Sequence, residues 1–531
     1  MSKLVLLGDE AIAQGAMDAG LSGVYAYPGT PSTEITEYIQ RSKEARERKV
    51  HTDWSANEKT AMEAALGMSY AGKRAMACMK HVGLNVAADP FMNAAITGVN
   101  GGLLVVTADD PSMHSSQNEQ DSRYYGRFAM IPVLEPSSQQ EAYDLTRYGF
   151  DLSEKYHLPV MVRITTRLAH SRSAVGRSPV RKKNDMILPA DLKQFILLPS
   201  MARKKFRILL SAQENLEEEG KTSGVNRLEK GAGKKRGIIA CGLAYNYYRE
   251  VAETCHLDDP LLKISQYPVP PDMLRDFVRE VEEVVLLEEG YPLLEESLRG
   301  GLECGHVIRG RLDGTLPRDG ELNPARVARA LGLDTGSSRP VPETVRNRPP
   351  VLCKGCGHID VYNALNEALN NYSPGRVFSD IGCYTLGALP PYNAINSCVD
   401  MGASVTMAKG AADAGMHPSV AVIGDSTFTH SGMTGLLDAV MEGTPVTIII
   451  SDNSATGMTG GQKSHATGRL VDICRGLGVE KKHVRVVVPL RKNHDENVRI
   501  MEEELAFEGV SVIIAQRECI QTAGKRRKKS S

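Results

Sequence analysis

VAVIGDSTFTHSGMTGLLDAVMEGTPVTIIISDNSATGMTGGQKSH, residues 420–465, decides the fold. Two apolar runs, 420–423 and 446–450, read as short buried strands, and 432–442 between them has helical composition. That order predicts a βαβ unit with parallel strands. Each strand ends in oxygen-bearing residues, Gly424-Asp425-Ser426 after the first and Asp452-Asn453 after the second. In a parallel unit both carboxyl ends open on the edge where α/β sheets bind ligands. Neighbouring strands lie about 4.8 Å apart, so Asp425 and Asn453 can reach one small cation together. A carboxylate and an amide oxygen suit Mg²⁺, which is commonly shared with phosphates. Gly424, Gly457, Gly460 and Gly461 let backbone N–H groups approach those phosphates. The plain alternative is an ordinary βαβ unit with polar loops. A GD pair alone is weak, whereas GD, one crossover, DN and then TGMTGGQ is far more specific.

The 531 residues suggest roughly three domains. Basic and acidic residues number 63 and 64, for a net charge of −1, so no charge bias points to nucleic acid or membrane. No apolar run approaches the ~18–20 residues of a membrane span. The start, MSKLVLLGDEAIAQG, is apolar only at 4–7 and is not a signal peptide. Ten scattered cysteines fit a cytoplasmic protein rather than a disulfide framework.

Residues 1–173 alternate apolar runs (4–7, 23–27, 75–79, 103–107, 160–164) with helical patterns, predicting a parallel α/β domain. PGTPSTE follows Tyr27, and its Ser32 or Thr33 is placed to cap the next helix. A helix over about 56–71 carries Glu58 in its first turn, where most glutamates simply complement the helix dipole. KHVGLN sets His81 and Asn85 after the run 75–79. The polar stretch from Asp109 holds His114, Gln117 and Arg123, and long ordered loops are often functional. Residues 174–235 are charged and glycine-rich, and read as linkers flanking poorly packed helices. A second α/β unit spans 236–335, where Glu288 and Glu289 end an apolar run with no visible partner. Residues 336–350 form a Pro-rich linker, 351–518 a third α/β domain, and 519–531 a basic tail. Cys353 and Cys356 make a C-x-x-C with no second such pair, which disfavours intrachain zinc. Cys519 stands isolated.

GDS…DN resembles the thiamine-diphosphate motif usually written GDG…NN. PGTPST, WSANEKTAMEAALGMSY, KHVGLN, CKGCGH, SDIGCYTLG and TGMTGGQ resemble 2-oxoacid:ferredoxin oxidoreductases, in the family's order, over residues 1 to about 520. GLAYNYYREV, YPVPPDMLRDF and VVLLEEGYPLLEESL are similar to the middle module of indolepyruvate:ferredoxin oxidoreductase large (alpha) subunits. The resemblance implies three parallel-sheet α/β domains: pyrimidine-binding (1–173), transketolase C-terminal-like (236–335) and diphosphate-binding (351–518). It assigns Mg²⁺ to Asp425, Asn453 and the carbonyl of Ala455. It assigns cofactor contacts to Thr30, Glu58, Cys356, Gly357, His358, Cys383, Gly424, Asp425, Ser426, Asn453, Ala455, Met458 and Thr459. Ser426 and Asp452 depart from the motif, but the ligand positions are intact. Catalysis is expected from Glu58, His81, Cys356 and His358. Thiamine diphosphate must lose its C2 proton to its own 4′-imino group, and a carboxyl on ring N1′ stabilises the imino form; the resemblance gives Glu58 that task. Asn85, His114 and Arg123 are candidates for the substrate carboxylate, since guanidinium binds such groups bidentately.

The implied activity is oxidative decarboxylation of an aryl pyruvate, indolepyruvate foremost, with the acyl group passed to coenzyme A and electrons to ferredoxin. Large subunits of this kind usually continue into a module reading C-x-x-C-x-x-C-x-x-x-C-P. The sequence ends RECIQTAGKRRKKSS, so iron–sulfur clusters are expected only on a partner or an absent module. A smaller subunit is the expected partner, around a homodimer core or in a heterotetramer. Two other readings stay open: a non-oxidative thiamine-dependent 2-oxoacid decarboxylase, and a non-catalytic thiamine-diphosphate-binding subunit.

Overall fold

The two strands of the 420–465 unit are neighbours. In the computed structural model Val420–Gly424 and Thr447–Asp452 run parallel with Gly424 opposite Ser451, so Asp425 and Asp452 leave the sheet side by side. The structure describes all residues except 1–2, 192, 302–306, 318–319, 334–341, 343, 347–350, 399 and 530–531, with the backbone alone at 300–301 and 525–529. Most of the expected Pro-rich linker lies outside the described residues. The chain divides into two units, Met1–Pro340 and Val341–Ser531.

In the second unit five of the described strands form an all-parallel sheet, in the order Val377–Ser379, Val420–Gly424, Thr447–Asp452, Ser511–Gln516, Val484–Val487. Its central strands are apolar runs because both faces are buried. The helix between the motif strands starts earlier than its sequence predicts. It is helical from Asp425 to Glu442, with a π turn at Phe428–Gly432. Ser-Thr-Phe-Thr-His-Ser-Gly gives no apolar period and low helix propensity, which hides that turn; π turns recur at functional sites.

The first unit holds a sheet in the order Gln266–Tyr267, Val133–Leu134, Val160–Thr165, Leu103–Asp109, Ala75–Lys80, Gly23–Ala26, His51–Trp54. It is parallel except for Gln266–Tyr267. The expected first strand does not join it. Lys3–Leu7 pairs antiparallel with Arg172–Gly176, leaving Val5 exposed, as suits a ribbon buried on one side. A second sheet contains Val307–Arg309, Glu283–Leu287, Arg236–Cys241, Leu261–Ile264 and Arg227–Glu229. The stretch 174–235 supplies the last of these strands and the helix Pro199–Thr222, which buries Leu209, Leu216 and Gly220. Among the described residues no helix is long and apolar enough to cross a membrane.

Buried ion pairs join the segments of the first unit. Arg123 is 1 % exposed and donates to Asp121 Oδ2 at 2.5 Å, Glu288 Oε2 at 2.8 Å, Tyr267 Oη at 3.0 Å and the Tyr291 carbonyl at 2.7 Å. Arg163 beside it donates to Asp109 Oδ2 at 2.6 Å and to Glu135. Glu288 and Glu289 therefore have partners after all: Glu288 also accepts the Leu294 N–H, and Glu289 the Leu322 N–H. Burial pushes both carboxyls up to about 7. Arg123→Met leaves Glu288 buried without its cation and Asp121 with only Arg163, 3.6 Å away. It is expected to lower stability by about 3–5 kcal/mol, read from urea unfolding of the full chain.

Candidate active site

In the second unit Asp425 is 2 % exposed. Ser464 holds its carboxylate, but Oδ2 is buried with no hydrogen-bond partner. Burial first, and Asp452 among the other causes, push its carboxyl up to about 7. Asn453 follows on the adjacent strand. Its Oδ1 accepts the Ala455 N–H at 3.0 Å, which leaves a second lone pair. A buried carboxylate with one unpartnered oxygen beside a free amide lone pair is the donor set a Mg²⁺-diphosphate needs, so these residues fit that group. The motif departures have local work. Asp452 Oδ1 accepts the Ser454 N–H at 3.1 Å and its Oδ2 accepts from Gln516 Nε2 at 2.9 Å, so it shapes the turn. The hydroxyls of Ser426 and Thr456 share a hydrogen bond of 3.0 Å. A Cβ on Gly424 would lie 2.6 Å from the Tyr384 ring, so a side chain there is excluded.

TGMTGG forms a hairpin, Ala455–Thr456 against Gln462–Lys463, with Gly457–Thr459 at its turn. Met458 is exposed there, and Thr459 Oγ1 lies 2.6 Å from Gln462 Oε1. Gly457 lies against Cys383, whose sulfur would be 3.1 Å from a Cβ. One pocket is lined by Asn453, His358 and four thiols, Cys353, Cys356, Cys383 and Cys519. Cys519 is thus not isolated. Its N–H donates to the Asn453 carbonyl at 3.0 Å, and the Arg517 N–H to the Asp452 carbonyl at 2.9 Å, which lays 517–519 along the motif strand end. Cys356 precedes the helix Gly357–Ala368, and His358 in its first turn is buried. Burial pushes His358 down to about 4, Cys356 up, and Cys383 up to about 12.

In the first unit three adjacent parallel strands, Gly23–Ala26, His51–Trp54 and Ala75–Lys80, bring the other predicted residues to one edge. Ser115 Oγ donates to the Thr30 carbonyl at 3.2 Å. Ser32 and Thr33 do not cap the following helix. Ser32 Oγ donates to the Gly29 carbonyl at 2.8 Å and Thr33 Oγ1 accepts the Gly29 N–H at 3.0 Å, closing PGTP on itself. Glu58 is 5 % exposed and opens the helix Glu58–Tyr70, capped by Asn57 through the Thr60 N–H at 2.9 Å. Gly83 packs on it, so that a Cβ there would lie 2.6 Å from Glu58 Oε1. Gly83→Ala must displace that carboxyl. It is expected to lower turnover by up to about 10²-fold while the chain stays folded, as steady-state kinetics beside a melting curve would read.

His81 is buried rather than open to substrate. Its Nε2 lies 3.1 Å from the Asn118 carbonyl, and its Nδ1 is buried without a partner. Asn85 is exposed and accepts from Tyr125 Oη at 2.7 Å. His114 is exposed, 3.5 Å from Glu321 Oε2. Arg123 does not serve as a carboxylate clamp, because its donors are committed to the buried network.

The comparisons match a segment in each unit. Residues 14–206 match the family model for the pyruvate flavodoxin/ferredoxin oxidoreductase, thiamine diphosphate-binding domain. Residues 380–513 match the thiamine pyrophosphate enzyme C-terminal TPP-binding domain. The protein is a thiamine-diphosphate-dependent subunit of the 2-oxoacid:ferredoxin oxidoreductase class. It is 41 % identical to the indolepyruvate oxidoreductase subunit IorA of Archaeoglobus fulgidus, over 97 % of this chain and 86 % of that one. It is 39 % identical to IorA of Pyrococcus horikoshii with the same coverage. The chain belongs to the IorA family of indolepyruvate oxidoreductase subunits. The 2-oxoglutarate:ferredoxin oxidoreductase of Magnetococcus marinus shares the fold, with a TM-score of 0.51 over 62 % of this chain and 65 % of that one at 19 % identity.

Proposed function

We propose that this chain carries the thiamine chemistry of an indolepyruvate-type oxidoreductase, which decarboxylates an aryl pyruvate and passes the acyl group to coenzyme A and electrons to ferredoxin. The observation that carries the reading is the unpartnered buried oxygen of Asp425 beside Asn453, next to the four-thiol pocket. Thiamine diphosphate supplies, when bound, the nucleophilic carbon and the electron sink for loss of CO₂. Asp425, Asn453 and the Ala455 carbonyl would hold its Mg²⁺. Glu58 would hold a proton at N1′. Neutral His358 offers the pocket a hydrogen-bonding ring without charge. The relatives are named as subunits, which supports a smaller partner subunit.

The four thiols change the expected electron path. Cys353, Cys356, Cys383 and Cys519 suit a polynuclear iron–sulfur cluster, which supplies a one-electron acceptor. The chain then need not rely on a partner or an absent module for every cluster. A non-oxidative decarboxylase has no use for such a pocket. Anaerobically purified chain is expected to carry iron and labile sulfide. Its visible absorbance should be lost in Cys519→Ser, with thiamine diphosphate binding retained.

The reading is tested by adding the companion subunit and ferredoxin. Reduction should require 2-oxoacid, thiamine diphosphate, Mg²⁺ and coenzyme A together, with indolepyruvate preferred over pyruvate and 2-oxoglutarate. Aldehyde release without coenzyme A would overturn it.

A further inference from the structure

Three side chains from separate helices converge in the first unit. Asp9 lies in the first turn of Gly8–Asp18, Glu34 in the first turn of Thr33–Arg41, and His170 ends Thr166–His170. One ligand atom from each lies within 4.8 Å of the others, and Glu34 Oε2 is 3.7 Å from His170 Nε2. Asp9 is 0 % exposed and neither of its carboxylate oxygens has a hydrogen-bond partner, whereas the buried Glu34 Oε2 has only the His170 ring, which holds its carboxyl below the usual range. A buried carboxylate without a donor is costly, and a second acid aimed at the same point adds repulsion.

The surroundings add negative charge. Burial, then Glu34 and Glu10, push the Asp9 carboxyl well above its usual range. Asp110 adds negative charge near His170, and Glu10 and Glu37 line the pocket outside Glu34. The nearby guanidiniums are turned elsewhere, Arg41 to Glu37 at 2.5 Å and Arg172 to Glu10 at 3.9 Å. Arginine is therefore not the counter-charge for Asp9.

We propose that Asp9, Glu34 and His170 bind a divalent first-row transition cation, with water completing its shell on the exposed His170 side. Two carboxylates and an imidazole suit Mn²⁺ or Zn²⁺, whereas Mg²⁺ and Ca²⁺ favour all-oxygen sets. The ion ties the helix that leaves the PGTP loop to two helices behind it. Asp110 extends the link, because its Oδ1 accepts from Thr166 Oγ1 of the His170 helix at 2.7 Å, its Oδ2 accepts the Ser115 N–H at 2.8 Å and Ser115 Oγ reaches the Thr30 carbonyl. The site thus braces the loop carrying Thr30. The competing arrangement is a protonated Asp9 beside a Glu34–His170 ion pair, which needs no ion.

Mn²⁺ is the probe, because thiolates select softer metals. The parent is the full chain carrying Asp425→Asn, without thiamine diphosphate, so that the diphosphate edge does not compete. Its titration followed by electron paramagnetic resonance is expected to show one bound Mn²⁺ per chain, with nitrogen coupling from the His170 ring. Adding Asp9→Asn, an isosteric change, is expected to abolish the bound signal at an unchanged or higher melting temperature. Adding His170→Ala, on the exposed side, is expected to leave weaker binding without nitrogen coupling. Absence of bound Mn²⁺ in the parent, equal binding after Asp9→Asn, or nitrogen coupling that survives His170→Ala overturns the proposal.

Discussion

Asp425→Asn is expected to abolish Mg²⁺-dependent thiamine diphosphate binding, and with it all 2-oxoacid turnover, without destabilising the chain. The two halves of that result have one cause. Asp425 Oδ2 is buried and unpartnered, and burial already pushes the carboxyl up to about 7. The side chain is thus placed for a ligand at the expense of the fold. Asparagine keeps the shape and an oxygen but carries no charge to hold a divalent cation. It also removes a poorly solvated carboxylate, so the ligand-free chain is expected to gain roughly 1–3 kcal/mol or stay level. Calorimetric titration with Mg²⁺ and thiamine diphosphate, set beside thermal unfolding of the ligand-free chain, reads both effects. A variant that lost binding only because it unfolded would count against this account. Gly424→Ala would not make the same test, because its Cβ strikes the Tyr384 ring and disturbs fold and site together.

Glu58→Gln is expected to lower turnover by at least ~10²-fold while leaving cofactor affinity nearly unchanged. Glutamine matches glutamate in volume, so the packing on Gly83 and the Asn57 cap should persist. It cannot hold and release a proton at N1′, which is the step assigned to this residue. Glu63, its nearest acidic rival along the helix, is half-exposed and paired with Lys59. Glu63→Gln is accordingly expected to stay within about twofold of the wild-type rate. Such an exposed pair contributes at most ~1 kcal/mol.

The sequence was most informative where function depends on neighbours along the chain. The apolar runs around Asp425 and Asn453 announce two buried parallel strands, and strand ends in such a sheet share an edge, so the shared edge of Asp425 and Asn453 was legible without coordinates. The place of Glu58 in a first helical turn was legible in the same way. Other residues were opaque for physical reasons. Composition cannot tell a solvated polar loop from one whose charges are buried and paired, so Asp109, Asp121 and Arg123 read as an exposed substrate loop. Gln266–Tyr267 is too short to show a period, yet it completes a sheet begun far earlier in the chain. Cys519 joins Cys353, Cys356 and Cys383 only because 517–519 hydrogen-bonds along the motif strand end, and no local pattern encodes that approach. The clue that was available was the C-x-x-C itself, which supplies two of the four thiols of that pocket.

The central claim is that this chain binds and activates thiamine diphosphate, and hydrogen–deuterium exchange at C2 of the bound cofactor tests it most directly. With Mg²⁺ present, the wild-type chain should exchange that proton far faster than free cofactor does. Glu58→Gln should bind the cofactor and exchange it slower than wild type by at least ~10²-fold. Exchange on the wild-type chain no faster than in free solution, or an unchanged rate in Glu58→Gln, would contradict the account.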